Sequence, residues 1–375
     1  MKTQFTVCIL FFTMTTLFAQ NHDDGRKINF PDIPGYKTLL CDFHQHTVFS
    51  DGSVWPNIRV YEANKDGLDA ISLTEHLEYQ NHKEDIPHLD RNRSNEIAAE
   101  VAEDTELIVI NGSEITRSLP PGHANAIFIT DANKLLVDDP IDVFKEAKNQ
   151  GAFTFWNHPN WIAQKENGIA ELTEMHDMLI EEGLLHGIEI VNEHTYSDEA
   201  LQIALDNDLT ILGNTDIHGL IDWDFNINHG GHRPITLVFA KEKSADAIKD
   251  ALFGGRTAVW FNNTLIGKIE IIQPLLKESI LIQDVKPLNS YEGESLVTVV
   301  SLENNSDVEF ILRNKSEFTL HRNADIVIVK PHEVTNIEVK TVEKMSQFSL
   351  NFEVLNVVVA PNEHPEVSFD IIITN

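Results

Sequence analysis

The sequence is poor in cysteine. Its 375 residues include two thiols, Cys8 and Cys41, and Cys8 lies in an apolar N-terminal stretch that we expect to be removed. The one remaining thiol cannot form an intramolecular disulfide, so the folded chain must be stabilised by packing and by any metal it binds. Cys41, inside an apolar run, is expected to be a small core residue.

Basic residues are also scarce. Lys and Arg number 28 against 59 Asp and Glu, which leaves a formal net charge of −31. This charge repels phosphate backbones and anionic membranes, so we expect no binding of a nucleic-acid polymer through a basic surface. A hydrophobic content of 42% and a charged content of 23% indicate a soluble globular protein. A local cationic or metal site can still attract a small anion.

A long apolar run occurs at the N-terminus. It extends from Val7 to Phe18, follows Lys2 and is succeeded by Ala19-Gln20. The run is shorter than the roughly 20 residues of a membrane span, and its end fits a secretory cleavage site. Residues 1–20 are therefore predicted to be a signal peptide, which implies a periplasmic or secreted protein without membrane insertion after cleavage. A buried helix, an uncleaved anchor and a lipoprotein are the alternatives.

Strand and helix patterns alternate after a lead-in at 21–37. Strands are predicted at Leu39–Phe43, Ala70–Leu73, Leu107–Asn111, Ala126–Ile129, Ala152–Phe155, Gly187–Val191, Thr210–Gly213 and Thr236–Phe239. The alternation predicts a parallel sheet, and seven or eight such units favour an α/β barrel at 38–262. From 263 to 375 strands and turn signals replace helices, which predicts an all-β, sandwich-like domain.

Residue types that bind metals recur where the predicted strands end. His44 and His46 follow the first strand, and both rings should face one side because a strand alternates faces. Asp51 lies in the next loop. The other members, all but His123 placed after a strand, are His76, Glu114, His123, His158, Asp216 and His218. In a barrel these loops converge on one mouth, so six imidazoles and three carboxylates are predicted to meet there.

This set predicts two or three divalent ions. Zn, Mn and Fe take mixed imidazole and carboxylate ligands, and nine ligands exceed what one ion uses. Glu114 is the expected bridging ligand. A lone histidine at a strand end is more often a hydrogen-bonded core or surface residue, but two closely spaced pairs with several further positions favour the metal site.

The run His44-Gln45-His46-Thr47, followed by Ser50-Asp51-Gly52, resembles the HxHTxxSDG opening of the PHP (polymerase and histidinol phosphatase) superfamily. Its remaining motifs are matched in order by Thr74-Glu75-His76, Glu114, His123, His158 and Asp216-Ile217-His218. The resemblance covers about residues 38–260 and implies a distorted seven-stranded TIM-like barrel, with a trinuclear metal centre that hydrolyses phosphate esters. The secreted form with a β domain looks closest to bacterial PHP phosphodiesterases. Some members carry His in place of Asp51, which bears on metal preference.

The expected activity is hydrolysis of small-molecule phosphodiesters by a metal-bridged hydroxide. The predicted catalytic residues are Glu114, Asp216, His218 and Arg233. Substrate contacts are predicted for Arg233, His232, Arg117, Asn157, Asn192 and His194. An arginine near a metal suits an anion by its charge and fork geometry, and a surface salt bridge is the competing interpretation. Aromatic residues that flank the motifs, and either pack or line a leaving-group pocket, are Trp55, Trp156, Trp161 and Trp223.

Four other functions stay open. The same ligands would serve a phosphomonoesterase of histidinol-phosphatase type, although a monoester carries more charge and the chain has few arginines. A 3′–5′ exonuclease is disfavoured by the net charge, and an amidase or lactonase would use a similar site. A metal-binding module without catalysis is the fourth, although a degenerate site should have lost ligands. The sequence does not indicate an oligomeric state.

Overall fold

The computed structural model describes residues 27–288, 296–341 and 345–373. The predicted signal peptide and the first residues of the lead-in lie outside the described residues. Within the three described ranges, no helix combines the length and the apolar composition that a membrane crossing requires.

The first two thirds of the chain alternate strands and helices. The strands are β1 (Lys37–Asp42), β2 (Ala70–Leu73), β3 (Ile108–Ile115), β4 (Ala124–Ile127), β5 (Phe153–Trp156), β6 (Gly187–Asn192), β7 (Thr195–Tyr196), β8 (Thr210–Asn214), β9 (Ile235–Ala240), β10 (Thr257–Phe261) and β11 (Thr264–Gly267). The helices are α1 (Pro56–Asp66), α2 (Arg93–Ala102), α3 (Pro140–Asn149), α4 (Glu174–Glu181), α5 (Asp198–Asp206), α6 (Ile221–Asp224), α7 (Ala245–Phe253) and α8 (Ile269–Ser279), with short 3-10 turns at Ala132–Leu135 and Ile227–His229.

Several helix ends follow from local side-chain chemistry. Ser197 and Ser244 precede α5 and α7, and their hydroxyls accept hydrogen bonds from the first-turn amides of Ala200 and Ala247. Such caps satisfy amides that have no partner inside the helix. Gly67 ends α1 in the left-handed region with φ 74°, which glycine adopts without a steric cost.

The strands form one curled sheet in the order β8-β6-β5-β4-β3-β2-β1-β9-β10-β11, with β7 beside β6. The pairs β1–β2, β2–β3, β5–β6 and β6–β8 are parallel. The predicted all-parallel arrangement is wrong at two places, because β4 is antiparallel to β3 and β5, and β9 is antiparallel to β1 and β10. Only residues 116–123 join β3 to β4, too few for the crossover that parallel neighbours need.

Threonine side chains hold the two ends of the curled sheet together. The Thr236 hydroxyl on β9 donates to the Gly213 carbonyl on β8 at 2.8 Å, and the Thr257 hydroxyl on β10 donates to the Ile211 carbonyl at 2.7 Å. Gly213 permits this approach, since a Cβ there would lie 2.3 Å from a methyl group of Val259. These contacts bring β8 to β9 and β10 and close the distorted barrel.

Two four-stranded antiparallel sheets follow the barrel. Their strands are β12 (Ile280–Leu288), β13 (Leu296–Asn304), β14 (Phe310–Asn314), β15 (Thr319–Leu320), β16 (Ile326–Val329), β17 (Val334–Thr341), β18 (Gln347–Val354) and β20 (Glu366–Ile372), in the orders β12-β13-β17-β15 and β16-β14-β18-β20. The short β19 (Val357–Val358) pairs instead with β11 of the barrel sheet. The predicted fold class, a distorted α/β barrel followed by a β domain, is confirmed.

The barrel and the β domain share one apolar core. Buried Trp260 and Ile235 of the barrel belong to the same cluster as Phe310 and Phe352 of the β domain. The predicted domain boundary between 262 and 263 falls in the turn that joins β10 to β11. Asn262 and Asn263 occupy this turn with φ of 45° and 58°, as a tight two-residue hairpin requires.

Candidate metal centre

The loop after β1 and the loop after β8 lie side by side. The His46 amide donates to the Ile217 carbonyl at 3.0 Å, and the Asp216 amide donates to the His44 carbonyl at 2.8 Å. Buried Arg59 of α1 reinforces the pair, because its guanidinium donates to the carbonyls of both His46 and Ile217. The His-x-His and Asp-x-His segments are thereby held in a fixed register.

The two pairs of side chains converge below the barrel mouth. His44 Nε2 lies 3.1 Å from His46 Nε2, and Asp216 Oδ1 lies 3.1 and 2.9 Å from these two nitrogens. Asp216 has a φ of 49°, a left-handed conformation that few non-glycine residues adopt. Both histidines are fully buried, so their facing nitrogens have no access to bulk water.

Glu114, at the end of β3, lies at the centre of the cluster. Its Oε1 is 2.9 Å from His123 Nδ1 and 3.5 Å from His158 Nε2. Its Oε2 is 2.5 Å from His76 Nδ1 and 3.6 Å from His46 Nε2. One fully buried carboxylate therefore connects residues from four different loops, as expected of a bridging ligand.

A second carboxylate, Asp51, joins the outer rings. Its Oδ2 lies 3.3 Å from His76 Nε2, and its Oδ1 lies 3.1 Å from His218 Nε2. The other ring nitrogen of His218 bonds to the backbone carbonyl of Asp216 at 2.7 Å, which orients Nε2 toward Asp51. The structure thus brings all nine sequence-predicted metal ligands together, including His123 from the start of β4.

The electrostatics of this cluster are strongly perturbed. Burial, together with the His218 and His76 rings, lowers the pKa of His46 to about 3. Burial opposes a charge on His76, but Glu114 and Asp51 raise its pKa to about 11. Burial also disfavours the charge of Asp51, yet hydrogen bonds from His218 and His76 hold its pKa well below its usual range. A cation that binds these atoms competes with protons, so metal binding is coupled to proton release.

Three sets of ligand atoms lie close enough to hold an ion: His46, Asp51, His76 and His218; His44, His46 and Glu114; and His76, Glu114 and His123. Two buried atoms, Glu114 Oε2 and His158 Nδ1, receive no well-aligned hydrogen bond from any described residue. Imidazole nitrogens and carboxylate oxygens with unused lone pairs are the donors that borderline divalent cations prefer. The residues therefore fit divalent metal ions.

A cavity of about 240 Å³ lies above the cluster. It is lined by Asp51, His76, Tyr79, Thr116, His123, His158, Trp161, Asn192, Glu193, Asp216 and His218. His44, His46 and Glu114 form the floor beneath these residues, without exposure to solvent. A small substrate in the cavity would contact the outer ligands directly.

A solved structure from Bacteroides vulgatus matches almost the whole chain. It is a two-domain protein described as containing a predicted PHP-like metal-dependent phosphoesterase, and it is 41% identical to this chain. The match covers 92% of this chain and 99% of that one, with a TM-score of 0.85. This chain belongs to the PHP superfamily.

Two further comparisons bear on the PHP chain. An uncharacterized protein of Methanocaldococcus jannaschii is 31% identical over 202 residues, which cover 50% of this chain and 86% of that protein. A family model described as an Ig-like domain matches residues 285–370, in agreement with the two four-stranded sheets found there.

The predicted substrate residues of the PHP chain have different surroundings. Asn192 lines the cavity, and its amide donates to Asp216 Oδ2 at 3.3 Å. Asn157 lies behind the cluster, where it donates to Glu114 Oε1 at 2.9 Å. Arg117 borders a neighbouring pocket, and its Nε lies 2.7 Å from Glu78 Oε1. His194 is exposed beside Phe225 and does not line the cavity.

The predicted catalytic and substrate-binding roles of Arg233 are corrected. Its side chain is buried under the barrel mouth, with Nε 2.8 Å from Asp66 Oδ2 and Nη1 3.3 Å from Asp42 Oδ2. Its neighbour His232 stacks on Trp260 with ring centres 3.6 Å apart, outside the cavity. Arg233 neutralises two buried carboxylates, so its charge is not directed at a substrate.

Glu189 of β6 is a site residue that sequence reasoning misses. Its Oε1 lies 2.8 Å from His44 Nδ1, and its Oε2 accepts the His158 amide and the Asn192 side-chain amide, each at 2.9 Å. Nδ1 of His44 is thereby engaged and Nε2 is left for the centre. The available signal is a lone carboxylate inside the apolar, fully buried strand Gly187–Asn192.

Replacing Arg233 with Met should destabilise the protein, because Asp42 and Asp66 would stay buried without a cation. We expect the free energy of unfolding to fall by about 3–5 kcal/mol, the usual effect of breaking a buried ion pair. Chemical denaturation followed by tryptophan fluorescence measures the change, and Arg233→Lys should restore part of it. If Arg233→Met left the denaturation midpoint unchanged and raised KM, Arg233 would instead be a substrate-binding residue.

Replacing Glu189 with Gln should weaken metal binding, because the amide is a poorer partner for the His44 ring. The expected loss of metal affinity is about 10- to 100-fold, as for other residues that orient a metal-binding histidine. Metal content at buffered free-metal concentrations measures it, with the exposed Glu181→Gln as the matched control. Equal metal affinity in both variants would show that Glu189 supports only the fold.

Proposed function

We propose that this chain is a metal-dependent phosphoesterase that hydrolyses small phosphodiesters. The observation that carries the proposal is the convergence of nine ligands on the floor and walls of one small cavity. Membership of the PHP superfamily supports the reaction class, since the Bacteroides vulgatus relative is described as containing a phosphoesterase of this type. Periplasmic or secreted localisation is part of the proposal and rests on residues 1–20 of the sequence.

Two or three ions, of Mn, Zn or Fe, are proposed to occupy the cluster. Glu114, His46 and His76 each belong to two of the three ligand sets, which favours ions that share ligands over a single ion. When bound, such ions polarise a phosphoryl oxygen and supply a nucleophile from water at neutral pH. Asn192 borders the cavity, and its side-chain amide donates to Glu189 Oε2 at 2.9 Å and to Asp216 Oδ2 at 3.3 Å, so it would hold these two carboxylates in place beside a substrate.

The charge of the cavity favours a diester over a monoester. Among the described residues that line it, none is Lys or Arg, and Glu193 adds a carboxylate at its edge. A phosphodiester carries one negative charge, whereas a monoester carries up to two near neutral pH and needs more cationic contacts. The histidinol-phosphatase type of reaction is therefore the second candidate, and a non-catalytic metal module is disfavoured because the ligand set is complete.

The purified chain should bind metal and hydrolyse a diester faster than a monoester. We expect at least one ion per chain by elemental analysis, and a higher kcat/KM for bis(p-nitrophenyl) phosphate than for p-nitrophenyl phosphate with Mn²⁺ or Zn²⁺. Less than one ion per chain together with no hydrolysis of either ester would refute the phosphoesterase. If the monoester were hydrolysed faster than the diester, phosphomonoesterase activity would become the better-supported function.

His44→Ala and Asp216→Ala should each remove activity without unfolding the chain. Each loses a ligand from the centre, so we expect kcat/KM for the diester to fall by roughly 100-fold or more. Circular dichroism checks the fold, elemental analysis checks the metal content, and Glu181→Gln is again the surface control. Retained activity in both alanine variants would place the active site elsewhere.

A further inference from the structure

One side of the cavity carries an aromatic wall. Trp161 lines the cavity and leaves 44% of its surface exposed. Its ring centre lies 5.2 Å from that of His158 and 5.5 Å from that of His123. Tyr79 lines the same cavity and is 48% exposed, with its ring centre 5.7 Å from that of His76. Exposed aromatic faces inside a polar cavity are surfaces that a ligand can cover.

Glu193 brings an uncommitted carboxylate to the same cavity. It follows β6, and its backbone amide donates to the Asn214 carbonyl. Its side chain makes no hydrogen bond or ion pair with any residue in the described ranges. Its φ of 50° is uncommon for a residue with a side chain, and strained conformations of this kind cluster at functional sites.

Glu193 is the wall carboxylate that the metal centre leaves unused. Asp51 and Asp216, the other two acidic residues of the wall, lie against histidines of the cluster and are ligands in the proposed centre. Glu193 and Asp216 both lie outside the three ligand sets, but Asp216 Oδ1 is 2.9 Å from His46 Nε2, whereas the Glu193 side chain has no such contact with a histidine in the described ranges. With ions bound below, the carboxylate and the indole remain on the wall as recognition groups.

A carboxylate and aromatic faces that line one small cavity are the combination that binds an organic cation. Ammonium groups are attracted to the faces of Trp and Tyr and to a nearby negative charge. The cavity wall has no Lys or Arg among its described residues, and the chain carries a net charge of −31, which draws cations toward it. A neutral alkyl or aryl group would gain nothing from Glu193.

We propose that Trp161 and Glu193 form a subsite for a cationic organic group, an ammonium substituent on the phosphodiester substrate. This inference rests on the proposed phosphodiesterase activity and narrows its substrate class to diesters of amino alcohols. The phosphate would lie over the metal cluster and the ammonium group against the wall. Tyr79 borders the same cavity and can complete the aromatic surface.

A pair of isosteric substrates tests the preference. p-Nitrophenyl phosphorylcholine and 3,3-dimethylbutyl p-nitrophenyl phosphate share a leaving group and differ by nitrogen against carbon. We expect kcat/KM to be roughly tenfold higher for the cationic diester, the effect of one ion contact and one cation–π contact. Equal rates, or a faster neutral diester, would overturn the subsite.

Single-residue variants test whether Glu193 and Trp161 cause the preference for the cationic diester. Glu193→Gln should lower the rate on the cationic diester and raise that on the neutral one, so that their ratio falls by about threefold. Trp161→Leu should also reduce the ratio by about threefold. Matched controls are Glu181→Gln and the exposed Trp223→Leu, which should leave the ratio unchanged. A loss of bound metal in Glu193→Gln would instead make Glu193 a ligand and overturn the proposal.

A binding measurement separates this inference from the proposed activity. Saturation-transfer NMR with choline and its neutral isostere 3,3-dimethylbutanol reports contact whether or not a diester is hydrolysed. We expect a signal from choline with the metal-loaded chain and a much weaker one with Glu193→Gln. Equal signals from both alcohols, or none from either, would overturn the subsite even if diesters are cleaved. Selective choline binding without hydrolysis would support the subsite and refute the esterase.

Discussion

The burial of Glu114 is the constraint on which the rest of the structure depends. A carboxylate without solvent exposure is costly unless opposite charges or ions surround it, and here imidazoles from several loops do so. The imidazoles of His46, His76, His123 and His158 lie beside four different strands, so the barrel must bring them to one point. The carboxylate therefore keeps its partners only if β1, β2, β4 and β5, the strands beside these histidines, are all in place. The cluster therefore depends on the barrel fold to assemble its residues, and the barrel fold depends on the cluster to compensate the buried charge of Glu114.

A second layer of buried polar residues holds the loops that carry these ligands in position. Arg59 ties the two loops that carry the paired ligands, Glu189 orients His44, and Arg233 neutralises Asp42 and Asp66 beneath them. These residues do not line the cavity above the cluster, yet they set where the ligands lie. The close approach at Gly213 serves the same purpose, because it brings β8, and with it the Asp-x-His segment, against β9 and β10.

Residues beside a strand end are predictable from sequence, because the strand sets both their position and the side they face. β2 has the predicted bounds, Ala70–Leu73, and the ligand-type residues after the strands reach the barrel mouth. Arg233 is different, because its partners lie 167 and 191 positions away and only the tertiary fold brings them near. The direction of β4 and the role of Glu189 likewise depend on neighbours that a local pattern does not contain.

The distribution of charge is compatible with the proposed action of this strongly acidic chain on an anion. Glu114 lies in the floor beneath the cavity, where divalent ions would reverse the local potential without altering the acidic exterior. A long polyanion would meet that exterior, whereas a small ester reaches the ions through a cavity of about 240 Å³. Only the wall then remains negative. The proposed substrate, with a phosphate at one end and a cation at the other, would match both surfaces, and Glu193 would then contact the cation.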